Sequence, residues 1–259
     1  ICDVHRFFQR TSTDRRKNHL KRFMNSGTAI LLLILLISNF VNGGLRDPRT
    51  YFFNMLLSLP GIVIGLSFHE FAHAWTSWKL GDPTPKNQGR VTLNPAAHFD
   101  PFGFLALMFC GFGWGIPVEI DNRYYKHPRR DELLVSVAGV AMNLLIAVVL
   151  SFVTHFYMGS TGYYQMDLKT VPGLIMTILI QAIIINITLL VFNIIPLPPL
   201  DGFGIITEIF NLRKKSWYYD FYSKGNIILI LLLIVGAVNG IISPLISIIY
   251  KALLYGVIL

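Results

Sequence analysis

The chain has 259 residues, of which 53% are hydrophobic and 14% charged, with a formal charge of +8 and a mean hydropathy of +0.55. A soluble domain carries closer to a quarter charged residues, so the composition excludes an ordinary soluble fold and points to an all-α polytopic membrane protein. The basic residues fall in segments between hydrophobic runs, as in cytoplasmic loops, which argues against nucleic acid as the partner of the positive charge. Cys2 and Cys110 are far apart and support neither a disulfide framework nor a Cys-rich metal site.

Residues 1–26 form a basic tail, carrying Arg6, Arg10, Arg15, Arg16, Lys17, Lys21 and Arg22 against Asp3 and Asp14. The reading is a disordered cytoplasmic arm, with Met24 an alternative start of translation. No cleavable secretory signal is evident. Residues 27–259 read as one membrane-embedded domain with its core at about 50–202. A first span runs from about Gly27 to Asn42 and a second from about Thr50 to Trp78, stopped by Lys79 and the turn Gly81-Asp82-Pro83. Residues 82–100 are polar and Pro-rich, with a β-like piece around Arg90–Leu93. Pro101–Val118 is apolar but holds Gly103, Gly111, Gly113 and Gly115, too much glycine for a regular span. It predicts a re-entrant, hairpin-like segment, tolerated where it lines a cavity.

A basic loop (Arg123, Lys126, Arg129, Arg130) precedes a third span over roughly Leu133–Phe156, and a fourth runs from about Pro172 to Ile195. A second basic segment (Arg213, Lys214, Lys215, Lys224) leads to a last apolar region, 226–259, interrupted at Asn239-Gly240 and Pro244. That region is one span plus an amphipathic helix, or two short spans, for about five or six transmembrane helices in all. With the basic segments inside, the second and fourth spans both end at the cytoplasmic face.

The second span ends in His69-Glu70-Phe71-Ala72-His73. Histidines four apart share one helix face, so both imidazoles reach a single metal ion. Zinc is the usual metal for this spacing, and the intervening glutamate is the usual general base for the attacking water. A catalytic zinc takes three protein ligands and leaves one position open. Asp201, at a broken helix end of matching depth, is the best third candidate. Glu208, two turns further in a surface segment, is a weaker one. His98, His127 and His155 are isolated and read as surface or helix-end residues, with His98 of interest because it follows the motif. Trp75, Trp78 and Trp114 read as interfacial anchors. Ala138, Gly139, Ala141 and Asn143 make a small-residue face suited to close helix packing.

HEFAH at 69–73 and NIIPLPPLDG at 193–202 together resemble the site-2 protease family of intramembrane zinc metalloproteases. GDPTPKNQGRVTLNPAAHFDPFG at 81–103 and SVAGVAMN at 136–143 are similar to segments of its short bacterial members, although Val140 stands where the family commonly has proline. No PDZ or CBS segment is recognisable. The resemblance implies one zinc per chain on His69, His73 and Asp201, with Glu70 as base. It implies transmembrane or membrane-adjacent protein substrates in a bacterial plasma membrane, cut near the cytoplasmic side. It also implies substrate-binding or oxyanion roles for Asn143 and Asn193. The alternative is a non-proteolytic membrane protein that binds or transports a divalent metal, or an inactive scaffold for transmembrane partners. A transporter is expected to spread ionisable residues over several spans, and Glu70 argues against the scaffold.

Overall fold

The computed structural model describes residues 47–110 and 113–256, with the isolated positions 33 and 37. The N-terminal tail and nearly all of the first span lie outside the described residues.

Helix α1 covers Pro48–Lys79. Asp47 caps it by accepting from the Thr50 N–H at 3.3 Å and the Thr50 hydroxyl at 2.6 Å. A proline at the first helical position loses no intrahelical bond. After the single turn α2 (Thr84–Asn87) and a 3-10 turn at Pro95–Ala97 comes the apolar helix α3, Pro101–Cys110. Helices α4 (Pro128–Thr161) and α5 (Val171–Ile194) follow, then α6 (Asp201–Phe210), α7 (Tyr218–Ile234) and α8 (Ala237–Tyr255). Among the described residues, three stretches are long and apolar enough to cross a bilayer: Arg49–Lys79, Pro128–Thr161 and Val171–Ile194. They correspond to the second, third and fourth predicted spans.

Helices α1, α4 and α5 pack against one another, α6 lies on α4, and α8 covers α5. The core between α4, α5 and α8 holds Ala147, Met176, Ile180, Ile183, Ile187 and Val191 with Val238, Ile242 and Leu254. The opposite side of α4 exposes Leu145, Val149, Phe152 and Phe156. A row of large apolar side chains turned outward over several turns suits lipid rather than water. The protein is an integral membrane protein with an all-helical fold.

Two local expectations change. The described residues contain no strand at Arg90–Leu93. The extended pairing falls instead at Phe99 and Gly115, where the Ile116 N–H donates to the His98 carbonyl at 2.7 Å. Arg90 is the reason: its buried guanidinium donates to the carbonyls of Ala97, Ile116 and Pro117, pinning both ends of the hairpin that contains α3. Gly103 lets those arms close, since a Cβ there would lie 2.0 Å from the Trp114 carbonyl oxygen. At the C-terminus, Asn239-Gly240 and Pro244 sit inside α8, and the break falls earlier, at Gly236 with φ +75°. A glycine takes that left-handed conformation at little cost.

The end of α1 is tied to the following loops through Asp82, which is fully buried. Its carboxylate accepts from the Ser77 hydroxyl at 2.9 Å, the Thr84 N–H at 2.9 Å and the Asp121 N–H at 2.8 Å. Ser77 also bonds the Tyr125 hydroxyl at 2.7 Å, and burial pushes that phenol up to about 12, so it remains a neutral partner. Each buried donor left unpaired costs about 1–3 kcal/mol. Asp82→Ala is therefore expected to lower the unfolding temperature in detergent by several degrees, whereas Lys126→Ala, at an exposed loop position, leaves it unchanged.

Candidate metal centre

From Pro48 to His69 a helix rises about 32 Å, close to the thickness of a bilayer's hydrocarbon core. The motif thus lies a bilayer's thickness along α1 from its start. Helix α5 stops at Ile194, and the irregular stretch 195–200 turns the chain so that α6 begins at Asp201. The Leu197 N–H donates to the Ile195 carbonyl and the Leu200 N–H to that of Leu197, which satisfies this stretch internally. Residues 128 positions apart in sequence are thereby brought into contact.

His69 Nε2 and His73 Nε2 lie 3.1 Å apart. Asp201 Oδ2 is 3.2 Å from the first and 3.3 Å from the second. Both histidines are buried, and Asp201 is half-buried. Each imidazole has its other nitrogen engaged: His73 Nδ1 faces the Val135 carbonyl oxygen at 2.7 Å, and His69 Nδ1 faces the Asn143 side-chain oxygen at 2.6 Å. An oxygen of either kind accepts only, so the proton of each neutral ring is on Nδ1 and each Nε2 is bare. Two nitrogen lone pairs and a carboxylate oxygen thus converge without a proton between them. Asp201 Oδ2 is buried with no hydrogen-bond partner. Such a donor set is repulsive by itself and fits a divalent cation with nitrogen and oxygen preferences, zinc above all.

The space for this cluster comes from Gly139 on α4. A Cβ there would fall 2.3 Å from His73 Nε2 and 2.6 Å from His69 Cε1. Glu70, on the next position of α1, is half-buried and accepts from the Val118 N–H at 3.2 Å. The returning arm of the hairpin thus touches the carboxylate adjoining the cluster.

Among the described residues, His69, His73 and Asp201 form the only group of three or more metal-type side chains within reach of one ion. Glu208 is buried rather than a surface residue and stands 3.0 Å from the Arg213 guanidinium, which also pairs with the buried Glu132. Burial pushes the Glu208 carboxyl up, opposed by Arg213. Arg129 donates to the Glu208 carbonyl at 2.7 Å, and the Arg213–Glu132 pair brings the two basic segments together. His98 is fully buried rather than a surface residue: its Nε2–H donates to the Thr92 carbonyl at 2.8 Å, while Nδ1 has no partner. His127 is exposed, and His155 faces the carbonyls of Ser151 and Leu254, away from the cluster. Asn193 is half-buried and donates to the Leu189 carbonyl of its own helix at 2.9 Å. Asn143 is fully buried with its whole amide engaged, and its partner Asn186 carries no local signal in the sequence.

A family model described as peptidase family M50 matches residues 58–236, a stretch that contains every residue of the cluster. The chain belongs to peptidase family M50. Within the family it is 35% identical over 190 residues to a Bacillus subtilis protein named "Putative zinc metalloprotease YwhC", an alignment covering 72% of this chain and 84% of that protein. It is 29% identical over 199 residues to "Putative zinc metalloprotease Rip2" of Mycolicibacterium smegmatis, covering 74% of this chain and 72% of that protein. The Rip2 of Mycobacterium tuberculosis is 28% identical over 176 residues, covering 66% and 62%. No solved structure matches. The resemblance to site-2 proteases therefore stands as membership, and the chain is a membrane-embedded peptidase.

Gly139→Ala is expected to abolish metal binding at this M50 centre, because a methyl group at 2.3 Å from His73 Nε2 requires one ring to leave. Metal content of the purified variant checks it. Gly159→Ala on the same helix has nothing within 4 Å of the new methyl and is expected to match the parent protein.

Proposed function

We propose that the chain is a zinc metalloendopeptidase that cuts transmembrane or membrane-adjacent proteins, and that residues 27–259 form its single protease domain. The observation that carries the reading is the convergence of His69 Nε2, His73 Nε2 and Asp201 Oδ2, beside Glu70, at the end of a bilayer-length helix. The names of the YwhC and Rip2 relatives support zinc as the metal. A zinc ion held by those three side chains, one per chain, supplies Lewis acidity toward the scissile carbonyl and the attacking water.

The remaining work falls to the chain's own residues. Glu70 takes a proton from water as its oxygen bonds to the scissile carbon, and returns it to the departing amine as the carbon–nitrogen bond breaks. The Val118 N–H, donating to one oxygen of that carboxylate, holds it in place while the other oxygen is left to carry the proton. The half-buried Asn193, at the end of α5, is suited to hold substrate near Asp201. The hairpin around α3 and the irregular stretch 195–200 support entry of water and of an extended substrate segment, because non-helical backbone at this depth is tolerated where it lines a wet cavity.

The basic segments 119–132 and 211–224 meet through Arg213 and Glu132, one turn before Val135, whose carbonyl faces His73, which supports a cytoplasmic position for the centre in a bacterial plasma membrane, with the N-terminus on the same side. The single metal-type cluster among the described residues favours a protease over a transporter, whose ionisable residues line a path.

Glu70→Gln is expected to retain one zinc per chain and lose cleavage of a panel of transmembrane-helix substrates by 10²-fold or more. Cleavage by the variant at the parental rate contradicts the assignment of Glu70, and absence of zinc from both proteins contradicts the zinc reading.

A further inference from the structure

We propose that Asn186 and Asn143 form a two-amide relay that fixes His69 with its Nε2 bare, and that both are positioning residues for the metal centre. The inference rests on the zinc reading given above and adds two residues to it, one from each helix packed behind α1.

The direction of the relay follows from which groups can only accept. Asn186 Nδ2 sits 2.9 Å from the Ala182 carbonyl oxygen, and Asn143 Nδ2 sits 3.1 Å from the Gly65 carbonyl oxygen. A side-chain amide is ambiguous by itself, because oxygen and nitrogen look alike. Here each amide has a backbone carbonyl against one end, and that end must be the NH2. The Asn186 oxygen is then turned to Asn143, whose second N–H donates to it at 3.1 Å. Both hydrogens of Asn143 are now engaged, and its oxygen faces His69 Nδ1 at 2.6 Å. Rotating Asn186 would set its oxygen against the Ala182 carbonyl and NH2 against NH2, and rotating Asn143 would set its oxygen against both the Gly65 carbonyl and the Asn186 oxygen. One arrangement satisfies every contact, and it requires a proton on His69 Nδ1.

All of this is sealed from water. Asn143 and Asn186 are 0% exposed, so no solvent molecule substitutes for a missing partner. A buried pair of amides in the apolar middle of three helices is costly unless fully satisfied. The two histidines are held differently. His73 is oriented by the backbone carbonyl of Val135, which no substitution removes, whereas His69 is oriented by side chains alone. The zinc affinity is therefore tunable through α4 and α5 at positions that touch neither metal nor substrate. Asn143 has no polar atom left for a substrate, which replaces the role that family resemblance suggests for it.

The test is zinc affinity of the purified full chain by chelator competition, with the visible spectrum of the cobalt-loaded protein as a reporter of ligand geometry. Removing a partner of this kind weakens metal binding by about 10–100-fold. Asn143→Leu is expected in that range. Asn186→Leu, which leaves Asn143 anchored by Gly65 alone, is expected to weaken binding several-fold and to alter the cobalt spectrum. The Asn143→Leu/Asn186→Leu double variant is expected to be no weaker than Asn143→Leu, since both act along one chain of contacts.

Unchanged zinc affinity and cobalt spectrum in Asn186→Leu would overturn the relay, as would a double variant whose losses multiply. So would a loss confined to the melting temperature of the zinc-free protein, which marks a purely structural role. His69→Ala separates the two levels of the argument. If it binds zinc as tightly as the parent, the zinc reading fails and the relay falls with it. If it loses zinc while both asparagine variants keep it, only the relay fails.

Discussion

With both imidazoles neutral, three acceptors meet at one point, and no other donor among the described residues stands between them. His69 and His73 present bare nitrogens 3.1 Å apart because a polypeptide carbonyl and an asparagine oxygen hold the protons on the other side of each ring. Asp201 brings a carboxylate oxygen to the same place. Lone pairs in such contact repel, so the packing of α1, α4, α5 and α6 around this point is arranged for a cation. The absent side chain of Gly139 belongs to the same design, since any Cβ would occupy the space the rings require.

The irregular parts of the fold lie against that centre. A peptidase needs water and an extended peptide, and a regular bundle in lipid offers neither. The chain breaks regularity in two places: at 195–200, which delivers Asp201, and in the hairpin around α3, whose returning arm reaches Glu70 through the Val118 N–H. Both breaks are internally satisfied, the hairpin chiefly through Arg90 and the backbone of His98. The Arg213 guanidinium between Glu132 and Glu208 joins α4 to α6 on the same side, bracing the helix that begins with Asp201.

The spans at α1, α4 and α5 were legible because uninterrupted apolar runs of bilayer length have no other stable use. The cluster of His69, His73 and Asp201 was legible because a period of four is fixed by helix geometry and because the His-Glu-His motif singles out an aspartate at a helix end of matching depth. What stayed hidden depends on contacts between distant segments. Asn186 is one polar residue in an apolar run, and nothing local reveals that it faces Asn143 across a helix interface. Val91-Thr92-Leu93 has strand-like composition, but Arg90 draws the carbonyls of the neighbouring loop and moves the pairing to Phe99 and Gly115. Glu208 and His98 resemble surface residues in sequence, and only tertiary structure buries them. Pro244 resembles a helix break, yet α8 runs through it because Gly236 provides the turn.

The central claim is that His69, His73 and Asp201 together hold one zinc ion. X-ray absorption at the zinc edge of the purified protein tests it most directly. The prediction is one zinc per chain with only nitrogen and oxygen neighbours at about 2.0–2.2 Å, two imidazole contributions in the outer shells, and loss of one of them in His73→Ala. A sulfur neighbour at about 2.3 Å, or an unaltered spectrum in His73→Ala, would contradict it.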